Sequence, residues 1–205
     1  MNERIVLIII TFGLFLLCVM YDDPLDSKVK EIEIITKPNT EILPQPKVDR
    51  GFQAFLDSLA FKESTNNYKS VNRWGYMGKY QFGHYTLHSL GYDISRTEFI
   101  NNPDLQEKAM LTLLLHNQKN LSNVIERWDG KYKGGILITE SGILAAAHLG
   151  GPRNVRNYFR YGIDFKDANG TSISKYLKLF GGYEIDFDGV DPIHWEYAYQ
   201  KYALL

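Results

Sequence analysis

Apolar side chains recur with helical spacing through most of the chain after residue 50. The first stripe occupies positions i, i+3, i+4 and i+7 and consists of Phe52, Phe55, Leu56 and Leu59. Such a stripe predicts an amphipathic helix, and Asp49 precedes it as a candidate cap. The longest periodic stretch opens at Asn102-Pro103 and continues towards Trp128, where Gly130 marks its predicted end.

Three shorter helices are predicted nearer the C-terminus. One follows Thr139 and ends at Gly150, one covers residues 155–159, and one covers residues 172–180. Between the first two stripes, a glycine-punctuated aromatic segment at residues 74–83 could hold a short hairpin. The pattern therefore predicts a mainly α domain with a small β-hairpin or loop segment.

The chain begins with an apolar segment that stands apart from this pattern. Residues 5–21 carry no charge, Arg4 precedes them, and Asp22 and Asp23 follow. Their length suits a membrane-spanning helix, and the flanking charges predict that the rest of the chain lies on the outer side of the membrane. Residues 1–21 are therefore predicted to be an N-terminal membrane anchor or signal segment. Cleavage of this segment and lipid attachment at Cys18 are the alternatives.

The middle of the chain and the overall composition define the domain organisation. Residues 22–50 hold four of the seven prolines and follow no helical or strand period, which predicts a linker. Residues 51–205 then form one domain of ordinary size. The formal net charge is −1, from 23 basic and 24 acidic side chains, so no overall field favours nucleic acid as a partner. The single cysteine excludes an intramolecular disulfide and a thiolate metal cluster, and no metal or other cofactor is predicted.

The candidate chemistry begins at Glu63, four residues after Leu59. Helical spacing places Glu63 on the apolar stripe, at the last turn of its helix, with its carboxyl group on the core side of the domain. A partly buried carboxyl group is suited to general acid catalysis. The alternatives are a frayed helix end or an ion pair with Lys62 or Arg73.

Further segments follow Glu63 in a characteristic order. Glu63-Ser64 comes first, the sequence GYMGKYQFG at residues 75–83 second, AAHLGG at residues 146–151 third, and KLFGGY, which ends in Tyr183, fourth. This order resembles the lytic transglycosylases of the goose-type lysozyme superfamily, and in particular their phage- and secretion-associated group. The resemblance covers roughly residues 52–183.

The resemblance implies a lysozyme-like fold of the goose-type or soluble lytic transglycosylase kind, with peptidoglycan glycan strands as the partner. It implies that Glu63 is the catalytic residue, and it implies substrate-binding roles for Ser64, Tyr80, Gln81, Phe82, His148 and Tyr183. Ser64 is expected to cap and orient, Gln81 and the Tyr80 backbone to hold the acetamido group or sugar hydroxyls, and Tyr183 to donate a hydrogen bond to Glu63 or to the substrate. Core packing is the alternative for Tyr80 and Phe82. One of the C-terminal tyrosines (Tyr197, Tyr199 and Tyr202) could supply the last motif instead of Tyr183.

The acidic residues of the sequence bear on the reaction type. None lies between Glu63 and Trp74, and the next one is Asp93. A two-carboxylate hydrolase needs a second acidic residue across the scissile bond, whereas a substrate that supplies its own nucleophile needs only one. We therefore expect Glu63 to protonate the glycosidic oxygen and then to accept the proton of the C6 hydroxyl group as a 1,6-anhydro ring closes.

Two other functions stay open on the sequence alone. One is a hydrolytic muramidase of the same fold, with Asp93 or Glu140 as the second carboxylate, and the other is a non-catalytic peptidoglycan-binding or assembly module. In each case the expected location is the cell envelope, with a monomer anchored in the inner membrane and its domain in the periplasm or otherwise outside the cytoplasmic membrane.

Overall fold

The computed structural model describes residues 49–188. The predicted anchor, Cys18, most of the linker and the C-terminal tyrosines fall outside the described residues. The described part contains the helices α1 (Phe52–Ser64), α2 (His84–Ser89), α3 (Arg96–Asn101), α4 (Pro103–Asn120), α5 (Ser122–Trp128), α6 (Glu140–Tyr161) and α7 (Ile173–Leu179). A two-stranded antiparallel sheet of β1 (Tyr132–Lys133) and β2 (Ile136–Leu137) comes between α5 and α6 in the chain. The mainly α class is thus confirmed, and no helix within residues 49–188 has the length and apolar composition needed to cross a membrane.

Side-chain caps fix the starts of four of the described helices. Ser95, Asn102, Thr139 and Ser172 each accept a hydrogen bond from the backbone N–H three residues further on. Such bonds satisfy N–H groups that have no partner within the first turn of a helix. The predicted long helix is shorter than expected, because α4 ends at Asn120 and α5 begins only after Leu121, whose φ of −109° and ψ of 11° are not helical.

A kink at Gly151 divides α6 into the two helices that the sequence predicts. Its φ of 76° and ψ of 159° interrupt the helix, and glycine adopts a positive φ without the steric cost of a Cβ. Pro152 follows directly and begins the second half. Proline is tolerated at a first helical position, since the N–H that it lacks would have no partner there.

The sheet is not where the sequence analysis expects the hairpin. Residues 74–83 form isolated bridges centred on Met77. The paired strands are instead joined by Gly134 and Gly135, whose φ values are 56° and 77°. Two successive residues with positive φ suit the tight turn of a hairpin, and glycine provides them at least cost. Residues 74–83 are therefore the loop alternative, with an antiparallel bridge between Met77 and Phe82, and the paired strands of the small hairpin lie later in the chain.

The hydrophobic core draws on α1, α4, α6 and α7, and the last two helices approach each other closely. A Cβ on Gly142 of α6 would lie 2.7 Å from the backbone oxygen of Leu177 on α7, so only glycine allows this crossing. The chain divides between Pro46 and Lys47, and the unit that contains the described residues has its own core.

Candidate active site

Glu63 lies at the last turn of α1, on the face that its spacing predicts. Leu59, one turn earlier, is fully buried, and the Glu63 side chain is 17% exposed. The helix ends just beyond it because Thr65 adopts a left-handed conformation with a φ of 56°. The carboxyl group therefore lies at the margin of the core, where it lines a surface cleft.

Tyr176, on the buried face of α7, is hydrogen-bonded to this carboxylate. Its hydroxyl group donates to Oε1 of Glu63 at 2.6 Å. Burial raises the pKa of the Tyr176 hydroxyl, and the charge of Glu63 raises it further, so the hydroxyl keeps its proton and stays a donor at neutral pH. Among the described residues Oε2 of Glu63 has no hydrogen-bond partner, which leaves this oxygen for a ligand in the cleft.

Tyr183 does not donate the hydrogen bond to Glu63 that the sequence analysis expects. Its hydroxyl group lies 2.9 Å from Oγ of Ser58, and its ring packs against Phe55 with the centroids 5.8 Å apart. Tyr183 lines a different groove, between α1 and the end of α7. The hydroxyl group beside Glu63 belongs to Tyr176, seven residues earlier in the same segment, and the assignment is corrected accordingly.

His148 of α6 faces the same carboxylate. Its Nε2 lies 4.0 Å from Oε1 of Glu63, and its side chain is 7% exposed. The ring packs edge to face against Phe82 at a centroid distance of 6.0 Å. Its Nδ1 is buried with no hydrogen-bond partner in the described part of the chain. The structure thus brings His148 next to Glu63, at a distance beyond that of a direct hydrogen bond.

Ser64 and Gln81 join the end of α1 to the segment at residues 78–82. The Ser64 hydroxyl group donates to the backbone oxygen of Lys79 at 2.7 Å, so it orients this segment. Gln81 lines the cleft with a φ of 52°, and its Nε2 donates to the backbone oxygen of Gly78 at 3.0 Å. These contacts fix the position of the Gln81 backbone relative to Glu63.

Tyr80 and Phe82 are core residues and do not line the cleft. Their exposed fractions are 0% and 1%, so neither side chain can contact a substrate. Groove lining by these side chains is therefore corrected to core packing, the alternative that the sequence left open, while a contact from the Tyr80 backbone to the sugar stays a prediction. The reason is local, because the positive φ of Gln81 turns that residue towards the cleft and leaves its two neighbours on the inner side.

A polar cluster behind the cleft holds the same segment from the inside. Glu107 accepts hydrogen bonds from the hydroxyl groups of Tyr68 and Tyr80, both at 2.6 Å, and from Nζ of Lys79 at 2.9 Å. Burial alone would raise the pKa of Glu107, but these three hydrogen bonds outweigh it and the pKa is lowered. The charged form of Glu107 is therefore the one that the fold stabilises.

The loop between α6 and α7 adds a second carboxylate to the cleft. Asp167 lines it, and its Oδ1 accepts backbone hydrogen bonds from Asn169 at 2.9 Å and Thr171 at 2.7 Å. The sequence analysis gave Asp167 no role. The two carboxylates considered there, Asp93 and Glu140, are not part of the cleft lining.

Two exposed aromatic side chains form a rim of the cleft. Trp74 and Tyr76 are 43% and 47% exposed, and Oδ1 of Asn72 accepts a hydrogen bond from the backbone N–H of each. The Arg73 guanidinium group stacks on the Trp74 ring at 4.0 Å. Such rings offer flat apolar surface beside polar groups, as ligand clefts commonly do.

Comparisons of the chain with protein-family models, with curated proteins and with solved structures give no match. The geometry of the cleft is therefore the basis for inferring its chemistry. A carboxyl group that lines a cleft, with one oxygen hydrogen-bonded to a tyrosine and the other without a hydrogen bond among the described residues, can donate and accept a proton.

Proposed function

We propose that the protein is a peptidoglycan lytic transglycosylase with a lysozyme-like domain, and that Glu63 is its single general acid and base. The observation that carries the proposal is the Glu63 carboxylate, which is mostly buried, accepts a hydrogen bond from Tyr176 at Oε1 over 2.6 Å, and lines a cleft with no hydrogen bond to Oε2 among the described residues. The order of the Glu63-Ser64, GYMGKYQFG and AAHLGG segments, which the fold brings around this cleft, supports it.

The proposed reaction uses Glu63 twice. Protonated Glu63 first gives its proton to the glycosidic oxygen between MurNAc and GlcNAc, and the acetamido oxygen of MurNAc stabilises the anomeric carbon as the bond breaks. The carboxylate then takes the proton of the MurNAc C6 hydroxyl group, whose oxygen closes the 1,6-anhydro ring and displaces the acetamido oxygen. Both steps pass one proton through the same oxygen atom, and no water enters the product.

The neighbours of Glu63 have distinct roles in this proposal. Tyr176 stabilises the carboxylate between the two proton transfers, because a hydrogen bond to a charged acceptor is stronger than one to a neutral acceptor. His148 borders the same carboxylate and packs against Phe82, which keeps that side of the cleft in place. Gln81 offers its polar groups to the sugar, and Trp74 and Tyr76 offer flat surface to neighbouring rings.

A hydrolytic muramidase is the second candidate, and Asp167 is the observation that favours it. A second carboxylate in the same cleft could position a water molecule. Oδ1 of Asp167 accepts two backbone hydrogen bonds within its own loop, whereas no hydrogen bond to its Oδ2 occurs among the described residues, so that oxygen is the one that would hold the water.

The proposed location of the protein is the same for both candidate functions. We propose that residues 5–21 anchor it in the inner membrane and that its domain lies in the periplasm.

The test of general acid–base catalysis is the variant Glu63→Gln, which keeps the side-chain volume and loses the transferable proton. We expect wall-degrading activity to fall by roughly 10²–10⁴, measured as clearing of purified cell walls, with an unchanged thermal unfolding curve. The matched control is Glu98→Gln, which removes an exposed carboxylate at the start of α3 and should leave activity unaltered. Activity of the folded Glu63→Gln variant near the wild-type level would reject Glu63 as the general acid of either enzymatic function, and absence of activity in the wild type would favour a binding module.

A further inference from the structure

A groove on the surface formed by α5 and the second half of α6 carries four arginine side chains. Arg127 comes from the end of α5, whereas Arg153, Arg156 and Arg160 come from α6. All four are exposed. We call this surface the arginine groove, and none of its arginines lines the cleft of Glu63.

The arginines of the groove form no ion pair within the described residues. The ion pairs there join Lys79 to Asp57 and Glu107, and His148 to Glu63, and none involves a groove arginine. The hydrogen bond that the groove arginines make is from Nη1 of Arg156 to the backbone oxygen of Asn120, at 3.2 Å. The positive charges of the groove are therefore available to an anionic partner.

Repulsion between the arginine side chains destabilises the second half of α6. Positions 153, 156 and 160 are spaced i, i+3 and i+7, which places three like charges on one face of α6. Like charges one turn apart destabilise a helix. Two lysines border the same surface, because Nζ of Lys131 bonds the backbone oxygen of Arg127 at 2.6 Å and Nζ of Lys133 lies 5.1 Å from the Trp128 ring.

Aromatic side chains accompany the charges. Trp128 and Tyr161 line the groove, Tyr161 is 60% exposed, and the Arg160 guanidinium group lies 5.1 Å from its ring. Arginine binds phosphate oxygens in a bidentate manner, and tryptophan and tyrosine favour the boundary between lipid headgroups and water. This combination of guanidinium groups and exposed aromatic rings fits the surface of an anionic bilayer.

We propose that the arginine groove docks the domain onto a membrane surface by binding the phosphate groups of anionic phospholipids. The predicted anchor at residues 5–21 would keep the domain beside such a surface. Docking through the groove fixes α5 and the second half of α6 against the bilayer. The inference does not depend on the reaction at Glu63.

The test uses the unit from residue 47 to residue 205, which has its own core and lacks the apolar segment that would insert into any bilayer. Co-sedimentation is measured with vesicles of phosphatidylcholine alone and of phosphatidylcholine with phosphatidylglycerol at a ratio of 7:3. The variant combines Arg153→Gln, Arg156→Gln and Arg160→Gln. Its matched control removes three exposed lysines elsewhere with the same change in net charge, through Lys108→Gln, Lys175→Gln and Lys178→Gln.

We expect the wild type to bind the mixed vesicles and not phosphatidylcholine alone. Each arginine near an anionic surface adds about fivefold to partitioning, so the triple arginine variant should bind roughly 100-fold more weakly. The lysine control should stay within about fivefold of the wild type. If loss of the Arg156 bond to Asn120 impairs folding, the double variant of Arg153 and Arg160 preserves that bond and should lose roughly 25-fold.

Three results would overturn the proposal. The wild type could fail to bind the mixed vesicles, or the arginine and lysine variants could lose binding equally, which would indicate net charge without a defined surface. The arginine variant could also keep vesicle binding and lose binding to purified cell walls, which would assign the groove to an anionic wall polymer.

Discussion

Replacement of Tyr176 by phenylalanine tests the arrangement around Glu63 directly. The change removes the hydroxyl group that donates to Oε1 of Glu63 at 2.6 Å and keeps the ring, which packs against Phe180 at a centroid distance of 5.0 Å. A hydrogen bond to a charged group is worth about 1.5–3 kcal/mol. If the carboxylate forms in the transition state, the rate falls tenfold for each 1.36 kcal/mol lost, so we expect activity to drop by roughly 10- to 150-fold.

The control for this experiment is Tyr183→Phe in the neighbouring groove. Its hydroxyl group contacts Ser58 at 2.9 Å and does not reach Glu63, so its loss should leave activity within about threefold. Both variants are compared by the rate at which they solubilise purified cell walls, after thermal unfolding has established that they fold. Equal activity of Tyr176→Phe and the wild type, or an equal loss in both variants, would refute the role given to Tyr176.

Three further predictions concern the surroundings of this site. His148→Gln should lower wall-degrading activity by less than about tenfold, because Nε2 lies 4.0 Å from Glu63 Oε1 and makes no direct hydrogen bond; a loss as large as that of Glu63→Gln would mean that His148 transfers a proton. Gly142→Ala should reduce the free energy of unfolding in urea by about 1–3 kcal/mol, since its Cβ would lie 2.7 Å from a backbone oxygen of α7, and an unchanged value would disprove this close crossing. The lowered pKa of Glu107 stabilises the fold above the ordinary carboxyl pKa of 4.5, and this stability is lost as pH falls through the lower folded-state pKa. Thermal unfolding should therefore depend less on acid pH in Glu107→Gln, and identical profiles would contradict it.

The position of Glu63 was predictable because it follows from local periodicity. Leu59 and Glu63 are one helical turn apart, and the apolar stripe before them fixes which face of α1 is buried. The caps of α4, α6 and α7 were likewise visible as side chains that accept from the first turn. Each of these features depends on residues within a few positions of one another.

The motif KLFGGY did not identify which tyrosine is hydrogen-bonded to Glu63, because that residue is Tyr176 and the motif ends in Tyr183. Both lie in the segment that follows Ser172, but α7 ends between them at Leu179, and the chain then turns at Gly182, whose φ is 83°. Tyr176 shares the buried helical face of Leu177, whereas Tyr183 lies beyond the helix. The spacing of Ile173, Tyr176 and Leu177 at i, i+3 and i+4 places Tyr176 on the buried face of α7, and this spacing was visible in the sequence.

Asp167 could not be found from sequence in the same way. It lies in a loop without periodicity, and it reaches the cleft only because α6 and α7 bring that loop next to the end of α1. Tyr80 and Phe82 illustrate the converse, since an aromatic segment rich in glycine gives no signal for which side chains are buried. The positive φ of Gln81 decides it, and a non-glycine residue in that conformation is rarely anticipated.

The most direct test of the proposed function is the mass of the products released from purified peptidoglycan. A lytic transglycosylase leaves muropeptides that end in 1,6-anhydro-N-acetylmuramic acid, each lighter by one water than its hydrolytic counterpart, and we expect these products to predominate. Predominantly reducing-end muropeptides would contradict single-carboxylate catalysis by Glu63 and would identify Asp167 as the residue to examine for water activation.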